Sequence, residues 1–208
     1  MSETTRLGRV GVIGRFKPLH NGGALMLEAI CENADQVVIG LGSSNKYNVR
    51  NPFTVEESAG MIQAHLSPRF SNYQLVPVPD FGHIPEFSDG KKWKEYVKEQ
   101  FGFLDYFVSD NAYASELLKD TYKIIHPTAL IPPEQHLKIR ATEVRLKMAR
   151  YENWQALVPE AVANYLETNG LVDRFRKEFG LQTIAAFLDA NIYGKESYQE
   201  ERDHTQEK

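Results

Sequence analysis

The chain is poor in the residues that would commit it to several protein classes. Among its 208 residues there is one cysteine, so no internal disulfide can form, and Cys31 closes the apolar run Ala24-Leu25-Met26-Leu27-Glu28-Ala29-Ile30-Cys31, where it reads as core. A reducing, cytoplasmic setting is expected. No stretch reaches the roughly 18 apolar residues of a membrane-spanning helix, and Met1-Ser2-Glu3-Thr4-Thr5-Arg6 holds no apolar segment of signal-peptide type. No membrane partner is expected. Positive charge is not in excess either: 24 Lys and Arg stand against 28 Asp and Glu, for a net charge of −4. Such a chain has no general field drawing it to nucleic acid, so any anion site must be built locally. Internal repeats and low-complexity tracts are missing too. What remains, 42% hydrophobic and 25% charged residues, suits one compact domain, or one domain with a small appendage, and excludes a disordered chain.

Short apolar runs alternate with longer stretches of helical period. This predicts an α/β fold: a Rossmann-like open parallel sheet with helices on both faces and a helical C-terminal part. Strands are expected at 10–14, 36–41, 73–78, 105–109 and 122–125, with Pro77 confining the third to an edge or a strand end. Helices are expected at about 24–33 and from Thr54 to about 66, where Thr54 and Glu57 have capping-box spacing. Another carries the stripe Trp93, Tyr96, Val97 and Phe101, with Ser88 as its cap, and four more fall at 111–119 and at about 142–150, 159–169 and 171–191. Residues 1–175 are expected to form the α/β domain and 176–208 a helical extension. The extension ends in a charged tail, with three basic and five acidic residues from Lys195 to Lys208. The stripe Ile184, Phe187, Leu188 and Ile192 fits packing on the body or, in a homo-oligomer, on another copy.

In an open parallel sheet, ligands bind at the carboxyl ends of the strands beside helix N-termini. The loop after the first strand, Gly14-Arg15-Phe16-Lys17-Pro18-Leu19-His20-Asn21-Gly22-Gly23, suits a polyphosphate. Arg15 and Lys17 supply charge, His20 a donor, and Gly22-Gly23 close backbone approach. The spacing matches neither G-x-G-x-x-G nor G-x-x-x-x-G-K-[ST], and the glycines equally fit an ordinary strand-to-helix turn. The second candidate is Ile139-Arg140-Ala141-Thr142-Glu143-Val144-Arg145, where a hydroxyl at a helix start and a guanidinium one turn on can grip two phosphate oxygens. Residues 138–150 hold five basic residues and one acidic, which also fits a solvated basic face.

Together these segments resemble the nucleotidylyltransferase superfamily, whose signatures are an H-x-G-H loop after the first strand and an I-S-x-T-x-x-R-type segment at a late helix start. Within it they are most similar to the archaeal-type nicotinamide mononucleotide (NMN) adenylyltransferases. Ile39-Gly40-Leu41-Gly42-Ser43-Ser44, Asn51-Pro52-Phe53-Thr54, Val76-Pro77-Val78-Pro79-Asp80 and Trp154-Gln155-Ala156-Leu157-Val158-Pro159 carry the resemblance in the same order, over roughly residues 8–175. It implies transfer of AMP from ATP to the 5′-phosphate of NMN, giving NAD and pyrophosphate, with the protein positioning reactants and stabilising charge. Mg²⁺ would ride on the ATP phosphates, so no protein metal site is implied. On this mapping His20, Lys17 and Arg145 are catalytic. Gly14, Arg15, Phe16, His20, Gly22, Gly23, Ser109, Asp110, Asn111, Arg140, Thr142 and Arg145 bind ATP. Ser43, Asp80 and Trp93 bind NMN, Trp93 by stacking on the cationic nicotinamide ring, although its helical spacing fits core as well.

Three positions depart from the pattern. Gly23 stands where the second histidine of H-x-G-H is expected, Ser58 replaces an arginine, and Arg140 replaces the serine of I-S-x-T-x-x-R. One reading is an active adenylyltransferase in which Lys17 and Arg140 make up for the lost donors. A second is a nucleotide-binding homologue that has lost catalysis and acts as a sensor or interaction module, and a third keeps the chemistry but changes the phosphate acceptor.

Overall fold

A computed structural model describes residues 6–192, with side chains as far as Leu188; the charged tail lies outside the described residues. Five strands, β1 (Arg9–Gly14), β2 (Gln36–Gly42), β3 (Tyr73–Val78), β4 (Tyr106–Val108) and β5 (Ile124–Ile125), form one parallel sheet in the order β3-β2-β1-β4-β5. The helices are α1 (Asn21–Asn33), α2 (Val55–Leu66), α3 (Lys91–Phe101), α4 (Ala112–Leu118), α5 (Ala141–Ala149), α6 (Glu160–Thr168), α7 (Leu171–Phe175) and α8 (Leu181–Ile192).

Alternation along the strands sorts their side chains onto two faces. Val10 and Val12 of β1 and Val37, Ile39 and Leu41 of β2 pack against Leu27 and Ile30 of α1, Met61 and Ile62 of α2, and residues of α5, α6 and α7. Val38, Val78 and Phe107 point the other way, onto Val97 and Phe101 of α3 and Leu118 of α4. Helices on both faces of a parallel sheet are therefore what the alternating runs predicted. Pro77 lies in the edge strand, where its missing N–H breaks no ladder. The capping box is complete: Glu57 N–H donates to Thr54 Oγ1 at 3.3 Å and Thr54 N–H to Glu57 Oε2 at 2.9 Å.

Besides shifts of one or two residues at other ends, such as β5 beginning at Ile124, three helical stretches depart from expectation. Helix α1 begins at Asn21, three residues before the apolar run, because His20 caps it: the ring Nδ1 accepts the Gly23 N–H at 3.2 Å. Ser88 ends a short turn over Pro85–Phe87 and donates to Pro85 O, while α3 starts at Lys91 after Gly90, whose φ of 77° suits glycine. The last helical stretch is continuous from Leu171 to Ile192, but residues Arg176–Gly180 wind as a π turn. Beyond it Ile184 joins the main core and Phe187 lies under Arg150, 5.0 Å from ring centre to guanidinium. Leu188 is exposed, and the side chain of Ile192 lies outside the described residues.

Candidate active site

The strand order reverses at β1, whose neighbours are β2 and β4, and at such a switch point the flanking loops diverge to leave a crevice. A cleft of about 500 Å³ opens there. It is lined by Gly14, Arg15, Phe16, Lys17, His20, Gly22 and Gly23 from the β1–α1 connection. Ser109, Asp110 and Asn111 line it from the end of β4, and Arg140 and Arg145 from the start of α5. All the expected ATP-binding residues except Thr142 meet in this one place.

The loop's shape depends on close approaches. A Cβ at Gly14 would sit 2.7 Å from the Phe16 ring, which folds back into the core with φ at 51°, and a Cβ at Gly22 would sit 3.1 Å from Leu137 O. With His20 Nδ1 accepting from backbone, the ring proton resides on Nε2, so a neutral His20 is a donor. The first N–H groups of α1 lie beside it, at the positive end of the helix dipole.

Arg145 is only 4% exposed and works partly as a brace. Its Nη1 donates to Lys17 O at 2.8 Å and its Nη2 to Thr142 Oγ1 at 3.2 Å. Thr142 thus serves the cleft through Arg145. Lys17 is 1% exposed, and its Nζ donates to Ser43 O at 3.0 Å and Lys46 O at 3.4 Å. Burial, helped by the charge of Arg15, pulls its ammonium down to about 8 against the opposing pull of Glu57 and Glu56. Ser58 is buried and its hydroxyl turns back to Thr54 O at 2.9 Å. Asn111 caps α4 through Ala114 N–H at 2.8 Å, and Ser109 Oγ accepts Asn111 N–H at 3.1 Å.

Of the three residues expected to hold the acceptor, Ser43 and Asp80 follow β2 and β3 and Trp93 lies in α3, and none of them lines the cleft. Ser43 offers its carbonyl to Lys17, and Asp80 Oδ1 accepts the Gly82 N–H at 2.8 Å. Trp93 is half-buried against the second core. Conversely, Arg50, His126, Thr128, His136 and Leu137 line the cleft and were not anticipated. His126 follows β5 directly, so the rule that ligands bind at strand ends would have found it; His136 Nε2 lies 2.9 Å from Ile131 O within the same loop. Asp110 is the one carboxylate lining the cleft, and among the described residues no three His, Cys, Asp or Glu side chains gather as metal ligands.

The β1–α1 loop with Arg15, Lys17 and His20 and the start of α5 with Arg140 and Arg145 line one crevice, and residues 12–147 match the cytidylyltransferase-like family. The chain belongs to that family. This cytidylyltransferase-like chain is 30% identical over 171 residues to the nicotinamide-nucleotide adenylyltransferase of Thermococcus onnurineus, covering 79% of this chain and 84% of that one. The enzyme of the same name from Pyrococcus furiosus is likewise 30% identical over 171 residues, covering 79% and 85%. That from Methanosphaerula palustris is 29% identical over 175 residues, covering 84% and 99%. The family resemblance drawn from the two motifs is borne out. Two structures of a bifunctional NMN adenylyltransferase/ADP ribose pyrophosphatase from Francisella tularensis share the fold, with TM-scores of 0.61 and 0.63 at 19% and 18% identity; one was crystallised with AMP and a Mn ion. They cover 90% of this chain, and the chain spans about half of them, 55%.

Proposed function

We propose that the chain transfers the AMP group of ATP to the 5′-phosphate of NMN, giving NAD and pyrophosphate. The observation that carries this reading is the convergence of Arg15, His20, Arg140 and the N-terminus of α1 on one cleft in an acidic protein. An oxygen of the NMN phosphate attacks the α-phosphorus of ATP in line. The new P–O bond forms as the bond from the α-phosphorus to the bridging oxygen breaks, and pyrophosphate leaves with the electron pair.

In this reaction the protein holds and neutralises phosphate. His20 donates from Nε2, Arg15 and Arg140 face the phosphates, and Arg145 fixes the backbone of the loop at Lys17. Ser109, Asp110 and Asn111 are assigned to the adenine end, and Ser43, Asp80 and Trp93 to the NMN end. Mg²⁺ enters with ATP as part of the substrate, which suits a cleft with one carboxylate. Residues 1–175 are assigned as the transferase body and 176–208 as its extension, whose described part binds back through Arg176 Nε to Met148 O at 2.9 Å. A cytoplasmic setting fits a buried Cys31 whose thiol burial pushes up to about 12.

Gly23 supports the second reading, a homologue that binds nucleotide without turnover. Incubating pure protein with ATP, Mg²⁺ and NMN and following NAD by chromatography separates the two. NAD and pyrophosphate above a blank are expected; binding of both substrates without either product overturns the enzyme reading.

A further inference from the structure

We propose that Lys17 is a positioning residue for the acceptor nucleotide: its ammonium holds the main chain that follows β2, and through it Asp80, in the arrangement that receives the acceptor. This inference rests on the adenylyl-transfer reading above. The sequence offered Lys17 as a cation for phosphate, yet the residue is only 1% exposed, and Nζ donates to Ser43 O at 3.0 Å and to Lys46 O at 3.4 Å. An ammonium has three N–H donors, so one committed to two main-chain oxygens has at most one left for a ligand.

Both ends of this residue are fixed. Arg145 Nη1 donates to Lys17 O at 2.8 Å, which ties its backbone to the ATP side, while its Nζ reaches the β2–α2 connection, 43–54. That connection needs holding. Ser43 sits at φ 51°, a left-handed conformation that a residue with a side chain keeps only where its surroundings impose it. Its carbonyl accepts the Lys46 N–H at 3.1 Å as well as Lys17 Nζ. Two residues on, Asn45 Nδ2 donates to Asp80 O at 2.9 Å and Asn45 Oδ1 accepts the Asp80 N–H at 2.8 Å. A short path of hydrogen bonds and main chain therefore runs from Arg145 through Lys17, Ser43 and Asn45 to Asp80. Ser43 and Asp80 are two of the three residues assigned to the NMN end.

A neutral donor could reach the same carbonyls, but charge-assisted hydrogen bonds are about twice as strong. Burial, with the charge of Arg15, brings the ammonium down to about 8 against the pull of Glu57 and Glu56 from α2. Arg145 meets Lys17 from α5 at its backbone, and Lys46 meets it through a carbonyl. The hold is full while Lys17 is charged, below about pH 8, and weakens as pH rises past that value.

The test separates a brace from a phosphate ligand. Lys17→Met removes the donor and should raise the KM for NMN about 10-fold, the scale of leaving buried acceptors unpaired, with kcat and the KM for ATP changed by about threefold or less. Lys17→Gln supplies a neutral donor and should recover part of the loss. In the native protein the KM for NMN should climb about threefold or more between about pH 7 and pH 9, and in Lys17→Gln it should stay level. An effect of Lys17→Met on ATP as large as that on NMN, or the same pH profile in native protein and Lys17→Gln, overturns the inference; the pH comparison decides it even where Lys17→Met does not fold. Native protein that forms no NAD overturns the reading beneath. Equilibrium binding of NMN then carries the test: affinity should fall about 10-fold in Lys17→Met, and equal affinity in the two proteins overturns the inference as well.

Discussion

Gly23→His places an imidazole where the first turn of α1 carries no side chain. The position is helical, and a Cβ there would lie 3.3 Å from Leu19 Cδ1 and 3.7 and 3.9 Å from Cε1 and Nε2 of His20. A methyl end of Leu19 can move a few tenths of an ångström, and replacing glycine in a helical turn returns about 0.5–1 kcal/mol of backbone entropy. Stability should therefore hold within about 1 kcal/mol. A preorganised donor that a site lacks is worth about 10²–10³ in rate, or roughly 2.7–4 kcal/mol. Here Arg15, Arg50 and Arg140 already bring cations to the cleft, so the expected gain in kcat is about threefold or less. Single-turnover NAD formation with thermal unfolding on the same samples reads both quantities. A gain near 100-fold at unchanged stability would refute the reasoning, because it would mean that these cations do not stand in for the missing ring.

His20→Ala should abolish turnover and, by removing the cap of α1, cost about 1 kcal/mol in a denaturant titration. His20→Asn keeps a capping acceptor and should recover the stability alone; turnover recovering with it would reduce His20 to a cap. Arg174 holds Glu57 through both terminal guanidinium nitrogens, Nη1 to Oε1 and Nη2 to Oε2 at 2.6 Å, and Nη2 also donates to Pro52 O at 3.2 Å. Arg174→Met should cost about 2–4 kcal/mol, a fall of about 4–16 °C for a chain of this size. Burial pushes the Glu57 carboxyl up, but hydrogen bonds from Arg174 and Thr54 and the nearby charges of Arg174 and Lys17 outweigh it, and the group lies below its ordinary value of 4.5. A depressed carboxylate stabilises the fold above its unfolded value and loses that contribution as pH falls through the lower folded one. The gap between native and variant stability should be full at neutral pH and narrow below about pH 4.5; a gap independent of pH would mean that the ion pair is not its source.

The features that could be read from the chain are those with local causes. Thr54 and Glu57 announce a helix start because a capping box needs only four residues, and Pro77 announces an edge because it lacks one donor. His20 does not announce a cap, since histidine is not among the usual cap residues, and the two glycines after it argue against helix where helix forms. Arg50, His126 and Thr128 reach the cleft because β2 and β5 end beside it, and that adjacency is a property of strand order. Arg145 was read as a phosphate ligand from its spacing to Thr142, whereas its hold on Lys17 O spans 128 residues and leaves no mark on the local pattern.

The π turn at Arg176–Gly180 sets the heading of α8. A π turn holds one residue more than an α turn, so the chain leaves it rotated by about 100°. Loss of one residue from that turn would roll α8 by the same angle, turning exposed Leu181 and Leu188 inward and buried Thr183 out toward water, with Ile184 moving into the place of Thr183. One residue in that turn therefore decides which face of α8 meets water, with every residue of α8 itself unchanged.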